Sequence, residues 1–194
     1  MPHEPPEPPL TDLASPRENA AQGALLGACV GNAIGAPLDL LARLPTEDEI
    51  ARARAMSGGG VLGLAPGQIS EAGELTLCLA QSLAAHPFPD FDLEGIACGY
   101  ARWVRSIPFA IGHPLSQSLG CFAMSHWADV ARQEGYAVAM AAAATEANAS
   151  SRSLGALMRV SPIGIWSYPG ETGPEAAIGD AMLSHPHPVC NQTA

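Results

Sequence analysis

Basic residues are scarce in this sequence. Nine arginine and lysine side chains stand against 19 aspartate and glutamate side chains, which gives a formal net charge of -10. Such a surplus of negative charge repels phosphate backbones and anionic lipid headgroups. The composition therefore argues against nucleic acid as a partner and against an anionic membrane surface.

Long apolar runs and paired cysteines are also lacking. The best candidate for a membrane span, residues 23–39, is interrupted by Asn32, Pro37 and Asp39, whereas a spanning helix needs about 20 predominantly apolar residues. The opening residues MPHEPPEPPLTD have neither the basic nor the apolar region of a signal peptide. Five cysteines without a CxxC spacing are typical of reduced, buried thiols. We therefore expect a cytoplasmic protein with no membrane partner.

Strand signals are weak, and helical patterns dominate the chain. Ser15 followed by Pro16 and Glu18 predicts a capped helix start, and the acids after Thr46 predict another. Leucines at 75, 79 and 83 form an apolar helical face. Further helices are predicted over residues 91–104, 114–128, 136–149 and 176–183. We predict an all-α irregular bundle over residues 16–194, after a disordered or extended Pro- and Glu-rich tail over residues 1–15.

The predicted first helix carries glycine at every fourth position: Gly23, Gly27, Gly31 and Gly35. Each interior glycine costs a helix roughly 0.5–1 kcal/mol relative to alanine. The spacing places all four on one face, so we expect a neighbouring backbone or a ligand to lie against that face.

Polar residues gather in three predicted loops beside these helices. They are Asn32 with Asp39, the segment Gln68 to Glu74, and the segment Gly155 to Pro162. Ser70 at a helix start favours an N-cap, although it also suits a cation site. Arg159 favours a structural role in bonding carbonyls, although its fork geometry also suits an anion.

The three loops, in this order, resemble those of the ADP-ribosylglycohydrolase family. The family pattern GxxxGxxxGDAxGxPxE compares with GALLGACVGNAIGAPLD, and GQxTDDTELxLxLA compares with GQISEAGELTLCLA from Gly67. The pattern NGxLMRxxPIG compares with LGALMRVSPIG from Leu154, and a THP-like signature compares with Ser184-His185-Pro186. The resemblance extends from about Glu18 to the last residue.

This resemblance implies the family's helical fold with the glycine-bearing helix at its centre, and a site that hydrolyses the glycosidic bond of ADP-ribosylated substrates. It implies that Glu71 and Asp39 are catalytic, and that the family's two magnesium ions would be held here, weakly, by Ser70 and Glu71. The same resemblance implies substrate binding, with ADP-ribose or an ADP-ribosylated partner as ligand, by Asn32, Gln68, Gly73, Gly155, Met158, Arg159 and Pro162.

Departures from the family motifs lower the activity expected of this chain alone. Ala72 stands where the family has an aspartate, Gly73 where it has a threonine, and Asn32 where it has another aspartate. The family's second acidic motif and its C-terminal helices lie in a portion beyond this sequence. We therefore expect weak or absent hydrolysis, and association with a second copy or with a complementary C-terminal chain. The alternative is a non-catalytic pseudoenzyme that binds a nucleotide or a protein, or serves a structural role.

Overall fold

The computed structural model describes residues 15–168 and 170–194, which form ten α-helices and no β-strand. The first five are α1 (Pro16–Gly35), α2 (Glu47–Arg54), α3 (Glu71–Ala85), α4 (Leu93–Arg105) and α5 (His113–Ser118). The others are α6 (Ser125–Glu134), α7 (Tyr136–Asn148), α8 (Ser161–Trp166), α9 (Gly173–Met182) and α10 (Pro188–Thr193). The predicted all-α class is confirmed, whereas most of the predicted tail lies outside the described residues. Among the described helices none combines the length and hydropathy that a membrane crossing requires.

Local capping explains where α1 and α2 begin. The Ser15 hydroxyl accepts a hydrogen bond from the Glu18 backbone nitrogen, while the Glu18 carboxylate accepts one from the Ser15 nitrogen. Thr46 and Glu49 make the same reciprocal pair at the start of α2. Each pair satisfies two of the four backbone N–H groups that a helix start leaves without an intrahelical partner.

The core lies between α3, α4 and α7. The predicted leucine face of α3 is buried, with Leu75, Leu79 and Leu83 exposed by 4% or less. These side chains pack in one cluster with Tyr100 of α4 and Met140 of α7. Burying a leucine side chain stabilises a fold by about 1.5–3 kcal/mol, so this face holds α3 firmly and fixes the position of its N-terminal end.

The predicted helix over residues 114–128 is instead three short pieces. α5 ends at Ser118, a 3-10 turn spans Cys121–Ala123, and α6 begins at Ser125. The chain turns at Gly120, where an added Cβ would lie 2.6 Å from the Ser116 carbonyl oxygen. α8 begins at Ser161, within the predicted loop segment Gly155 to Pro162, and neither α8 nor α10 was predicted.

No neighbouring backbone of the described bundle lies against the glycine face of α1, so that part of the expectation is wrong, while contact of the face with a ligand stays a prediction. Gly23, Gly27, Gly31 and Gly35 are all exposed, and an added Cβ at any of them would meet no atom within 4 Å. Of the whole helix only Ala33 is buried. α1 therefore lies at an edge of the described bundle, and not at its centre.

Candidate functional site

The N-terminal end of α3 borders a cavity of about 450 Å³. The C-terminal end of α1 and the turn around Met158 form its other walls. Five of the residues implicated by sequence line it: Asn32, Asp39, Ser70, Glu71 and Met158. Segments separated by more than 80 positions in the chain thus meet at one cavity, which is the candidate site.

Asn32 holds the start of α3 in place. Its Oδ1 accepts hydrogen bonds from the backbone nitrogens of Ser70, at 2.7 Å, and of Gly73, at 3.2 Å. Its Nδ2 donates to the Ser70 hydroxyl at 2.8 Å. The prediction that Ser70 caps α3 with its own side chain is wrong, because that side chain makes no capping bond. The cap comes from α1 instead.

Glu71 is the half-buried carboxylate of the site. Its Oε2 accepts a hydrogen bond from the Gly112 backbone nitrogen at 2.6 Å. Burial raises the pKa of Glu71, and repulsion by Asp39 and Glu74 adds to that rise, while the Gly112 bond opposes it. Glu71 is therefore a better proton acceptor than an ordinary surface glutamate.

Asp39 is the exposed carboxylate of the same cavity. It follows the 3-10 turn Ala36–Leu38, and its Oδ1 accepts a hydrogen bond from the Leu40 backbone nitrogen at 2.9 Å. Its charge is close enough to raise the pKa of Glu71. Two carboxylates, one half-buried and one exposed, thus share the site.

Other residues implicated by sequence lie around the cavity and not in its lining. The Gln68 side chain accepts a hydrogen bond from the Ala65 nitrogen, and Gly73 is held by Asn32. Pro162 is buried and lines a different, apolar cavity of about 320 Å³. Gly155 packs against the His185 ring, where an added Cβ would lie 2.3 Å from Cε1. Ligand contact by these residues stays a prediction.

Arg159 is fully buried behind the site. Its Nε donates to Asp180 Oδ2 at 2.9 Å, and its Nη1 donates to the Gly155 carbonyl at 2.7 Å. The Tyr100 hydroxyl donates to the other oxygen of Asp180. Of the two roles that sequence left open, the structure shows the bonding of carbonyls, because the guanidinium is engaged within the protein.

A hydrogen-bonded chain that the loop motifs did not indicate runs from Arg159 to the surface. Arg159 Nη2 donates to the Ser184 hydroxyl at 3.0 Å, which lies 2.8 Å from His185 Nδ1. His185 Nε2 lies 2.7 Å from the hydroxyl of exposed Ser153. Burial, and secondly the charge of Arg159, lowers the pKa of His185 to about 4. The Ser-His-Pro signature marked His185, but no local signal pointed to Ser153.

Comparison with known proteins identifies the family of this chain. The family model described as ADP-ribosylglycohydrolase matches residues 13–194. The chain belongs to the ADP-ribosylglycohydrolase family. Its match to the solved structure of an ADP-ribosylglycohydrolase-related protein complex has a TM-score of 0.67 and 28% identity. That match covers 91% of this chain and 52% of the solved chain.

Two curated relatives of this ADP-ribosylglycohydrolase-family chain match over about 100 residues. The ADP-ribosyl-[dinitrogen reductase] glycohydrolase of Rhodospirillum rubrum is 38% identical over 93 residues, which are 48% of this chain and 31% of the relative. A protein of Acanthamoeba polyphaga mimivirus, whose name describes it as an ADP-ribosyl glycohydrolase, is 30% identical over 106 residues. These residues are 53% of this chain and 32% of the relative. The chain thus matches about a third of each curated relative and about half of the solved one.

Proposed function

We propose that the cavity at the start of α3 binds the ADP-ribose group of an ADP-ribosylated protein, and that this chain alone hydrolyses the glycosidic bond weakly. The observation that carries the proposal is the lining of one cavity by Asn32, Asp39, Ser70, Glu71 and Met158. All five lie in the segments that resemble the family motifs. The family assignment supports this ligand class, and the shared cavity supports this location.

The two carboxylates supply the chemistry of this proposal. Hydrolysis of a glycosidic bond passes through a transition state with positive charge on the sugar ring, and it needs a positioned water. Asp39, exposed beside the cavity, is placed to stabilise that charge. Glu71, whose pKa is raised, is placed to accept a proton from water.

The oxygen donors present at the site do not suit a pair of magnesium ions. Glu71 has one oxygen engaged by Gly112, and Ser70 already accepts a bond from Asn32. Ala72 and Gly73 offer no side-chain oxygen. Among residues 15–168 and 170–194, no three acidic, histidine or cysteine side chains lie close enough to hold a metal ion. A pair of Mg²⁺ ions needs several carboxylates, so we expect at most weak binding at Ser70 and Glu71.

A non-catalytic role is the second candidate. Both polar atoms of Asn32 are engaged in holding α3, so this side chain contributes to the fold rather than to a reaction. An intact cavity with few free oxygen donors favours recognition without turnover. In that case the chain is a binding module for ADP-ribose or an ADP-ribosylated protein.

Association with another polypeptide forms part of the proposal. Leu26 and Val30 of α1 are 64% and 45% exposed, next to the open glycine face. Apolar surface of this kind is unfavourable in water and stabilises contacts between chains. We expect a second copy or a complementary chain to cover it, which light scattering would detect as a mass above that of a monomer.

The test is a calorimetric titration with ADP-ribose, followed by an assay on ADP-ribosylated arginine and serine peptides with Mg²⁺. Binding without measurable turnover supports the module, whereas turnover supports the hydrolase. Asp39→Asn and Glu71→Gln should each lower turnover, and Glu146→Gln, an exposed acid on α7, should leave it unchanged. Absence of ADP-ribose binding by the wild type would refute both candidates.

A further inference from the structure

Two buried side-chain atoms lack a hydrogen-bond partner within the described part of the chain: the Ser161 hydroxyl oxygen and Asn191 Oδ1. A buried polar atom without a partner is unfavourable, and most such atoms in folded proteins are paired. Both residues line one cavity of about 600 Å³, which is bounded by α8, α9 and α10. This cavity is therefore the place where a partner for both atoms would lie.

The neighbours of Asn191 fix the orientation of its amide group. Its Nδ2 donates hydrogen bonds to the Pro186 carbonyl at 3.2 Å and to the Met182 sulfur at 3.1 Å. Both neighbours are acceptors, so a rotated amide would bring Oδ1 against the Pro186 oxygen. Oδ1 is thus the atom left to accept a hydrogen bond from a donor in the cavity.

The rest of the lining is uncharged and largely apolar around the Ser161 hydroxyl, which can donate as well as accept. Val160, Ile163 and Ala177 belong to this lining. None of the described residues that form it has an ionisable side chain. The cavity therefore suits an uncharged ligand better than a diphosphate, because a buried charge needs a partner of opposite sign.

We propose that this cavity binds an uncharged small molecule with a carboxamide or a similar amide edge on an apolar ring. The N–H group of that edge donates to Asn191 Oδ1, and its carbonyl accepts from the Ser161 hydroxyl. The ring packs against the apolar lining, in a volume within the range of about 300–1,000 Å³ that is typical of small-molecule sites. The inference goes beyond the proposed function, because this lining shares no residue with that of the candidate site.

The test is an NMR titration of the wild-type protein with three probes of similar size. Benzamide has the N–H donor and the carbonyl, acetophenone has the carbonyl with a methyl group in place of the donor, and benzoate has a negative charge. We expect benzamide to bind with a Kd on the order of 1 mM. Acetophenone should bind about five- to tenfold more weakly, because it leaves the buried acceptor unpaired. Benzoate should cause no shifts.

Substitutions then separate the two hydrogen bonds. Asn191→Leu should bring the affinity ratio of benzamide to acetophenone to about one, because it removes the acceptor that distinguishes them. Ser161→Ala should weaken both probes by a similar factor, since both have the carbonyl. It should also melt at the wild-type temperature or above it, because the lost hydroxyl is buried without a partner. Ser125→Ala, at the exposed first residue of α6, should change neither affinity.

Several results would overturn the inference. They are equal wild-type affinities for benzamide and acetophenone, no binding of either up to its solubility, and wild-type affinities in Ser161→Ala. An unchanged ratio in a folded Asn191→Leu protein would do the same. N-acetylglycinamide offers amide groups without an apolar ring, so tighter binding of this probe than of benzamide would make a polypeptide the ligand and overturn the small-molecule assignment. None of these results bears on ADP-ribose binding at the candidate site.

Discussion

The Oδ1 atom of Asn32 lies 2.7 Å from the backbone nitrogen of Ser70, across 38 positions of sequence. Through this bond the end of α1 provides the cap at the start of α3. The open end of a helix has four N–H groups without intrahelical partners, and the Asn32 oxygen satisfies two of them. The geometry of Ser70 and Glu71 therefore depends on a residue of another helix.

Replacement of Asn32 should test this coupling. Asn32→Ala removes the acceptor and leaves two N–H groups unpaired, so we expect a loss of about 1–2 kcal/mol in the free energy of unfolding. Asn32→Asp keeps the acceptor and places a negative charge at the positive end of α3, so its loss should be smaller. Urea denaturation of both variants measures the difference. Equal losses would show that Asn32 does not act as a cap.

Caps that one helix supplies to another limit what could be predicted from the sequence. Ser15 and Thr46 cap their own helices, and both starts were predicted because donor and acceptor lie three residues apart. α3 and α7 take their caps from other helices, Asn32 and Glu94 respectively. No local pattern reports a partner about 40 positions away. The residues of the cavity were found through family motifs, whereas the hydrogen bonds that place them required the structure.

One of the substitutions that would restore the family's metal-loop sequence should destabilise the protein. The family sequence would need threonine at 73, but an added Cβ at Gly73 would lie 2.8 Å from Asn32 Oδ1 and 2.8 Å from Ile69 Cβ. We expect Gly73→Thr to lower the free energy of unfolding by about 1–3 kcal/mol through overpacking. Ala72→Asp alone should instead add a carboxylate beside Glu71 and raise Mg²⁺ affinity. Calorimetry with MgCl₂ and urea denaturation test the two substitutions, and a stable Gly73→Thr protein would contradict the first expectation.

His185 should make stability depend on pH. Its pKa is lowered from 6.5 to about 4 in the folded protein, so between these values the unfolded chain binds a proton that the folded chain does not. The free energy of unfolding should therefore fall as pH falls from 6.5 to 4, by about 2 kcal/mol from this residue. His185→Gln should reduce the slope, measured by urea denaturation across this range. His113→Gln, at an exposed position, should keep it.

The buried pair Arg159 and Asp180 should be sensitive to removal of one partner. Arg159→Met leaves the Asp180 carboxylate buried without its cation, which we expect to cost about 3–5 kcal/mol. Adding Asp180→Leu removes the uncompensated charge, so the double variant should recover much of this loss. Arg54→Met, at an exposed position, should change stability by less than about 0.5 kcal/mol. A double variant no more stable than Arg159→Met would show that lost packing, and not charge, dominates.

Replacement by alanine should change the free energy of unfolding in opposite directions at a buried glycine and at an exposed glycine. At Gly155 an added methyl group would lie 2.3 Å from the His185 ring, so Gly155→Ala should lower the free energy of unfolding by about 1–3 kcal/mol. At Gly27 nothing lies within 4 Å of the added Cβ, so Gly27→Ala should raise it by about 0.5–1 kcal/mol through helix propensity.

The larger substitution Gly27→Leu tests whether another polypeptide packs on the glycine face of α1. In an isolated chain a leucine at this exposed position is tolerated, because it meets no neighbour within the described bundle. If a second copy or a complementary chain packs closely on this face, the leucine should block that contact and leave the fold intact. Light scattering would then report a lower mass for Gly27→Leu than for the wild type, with circular dichroism unchanged. Equal masses above that of a monomer would place the association surface elsewhere on the protein.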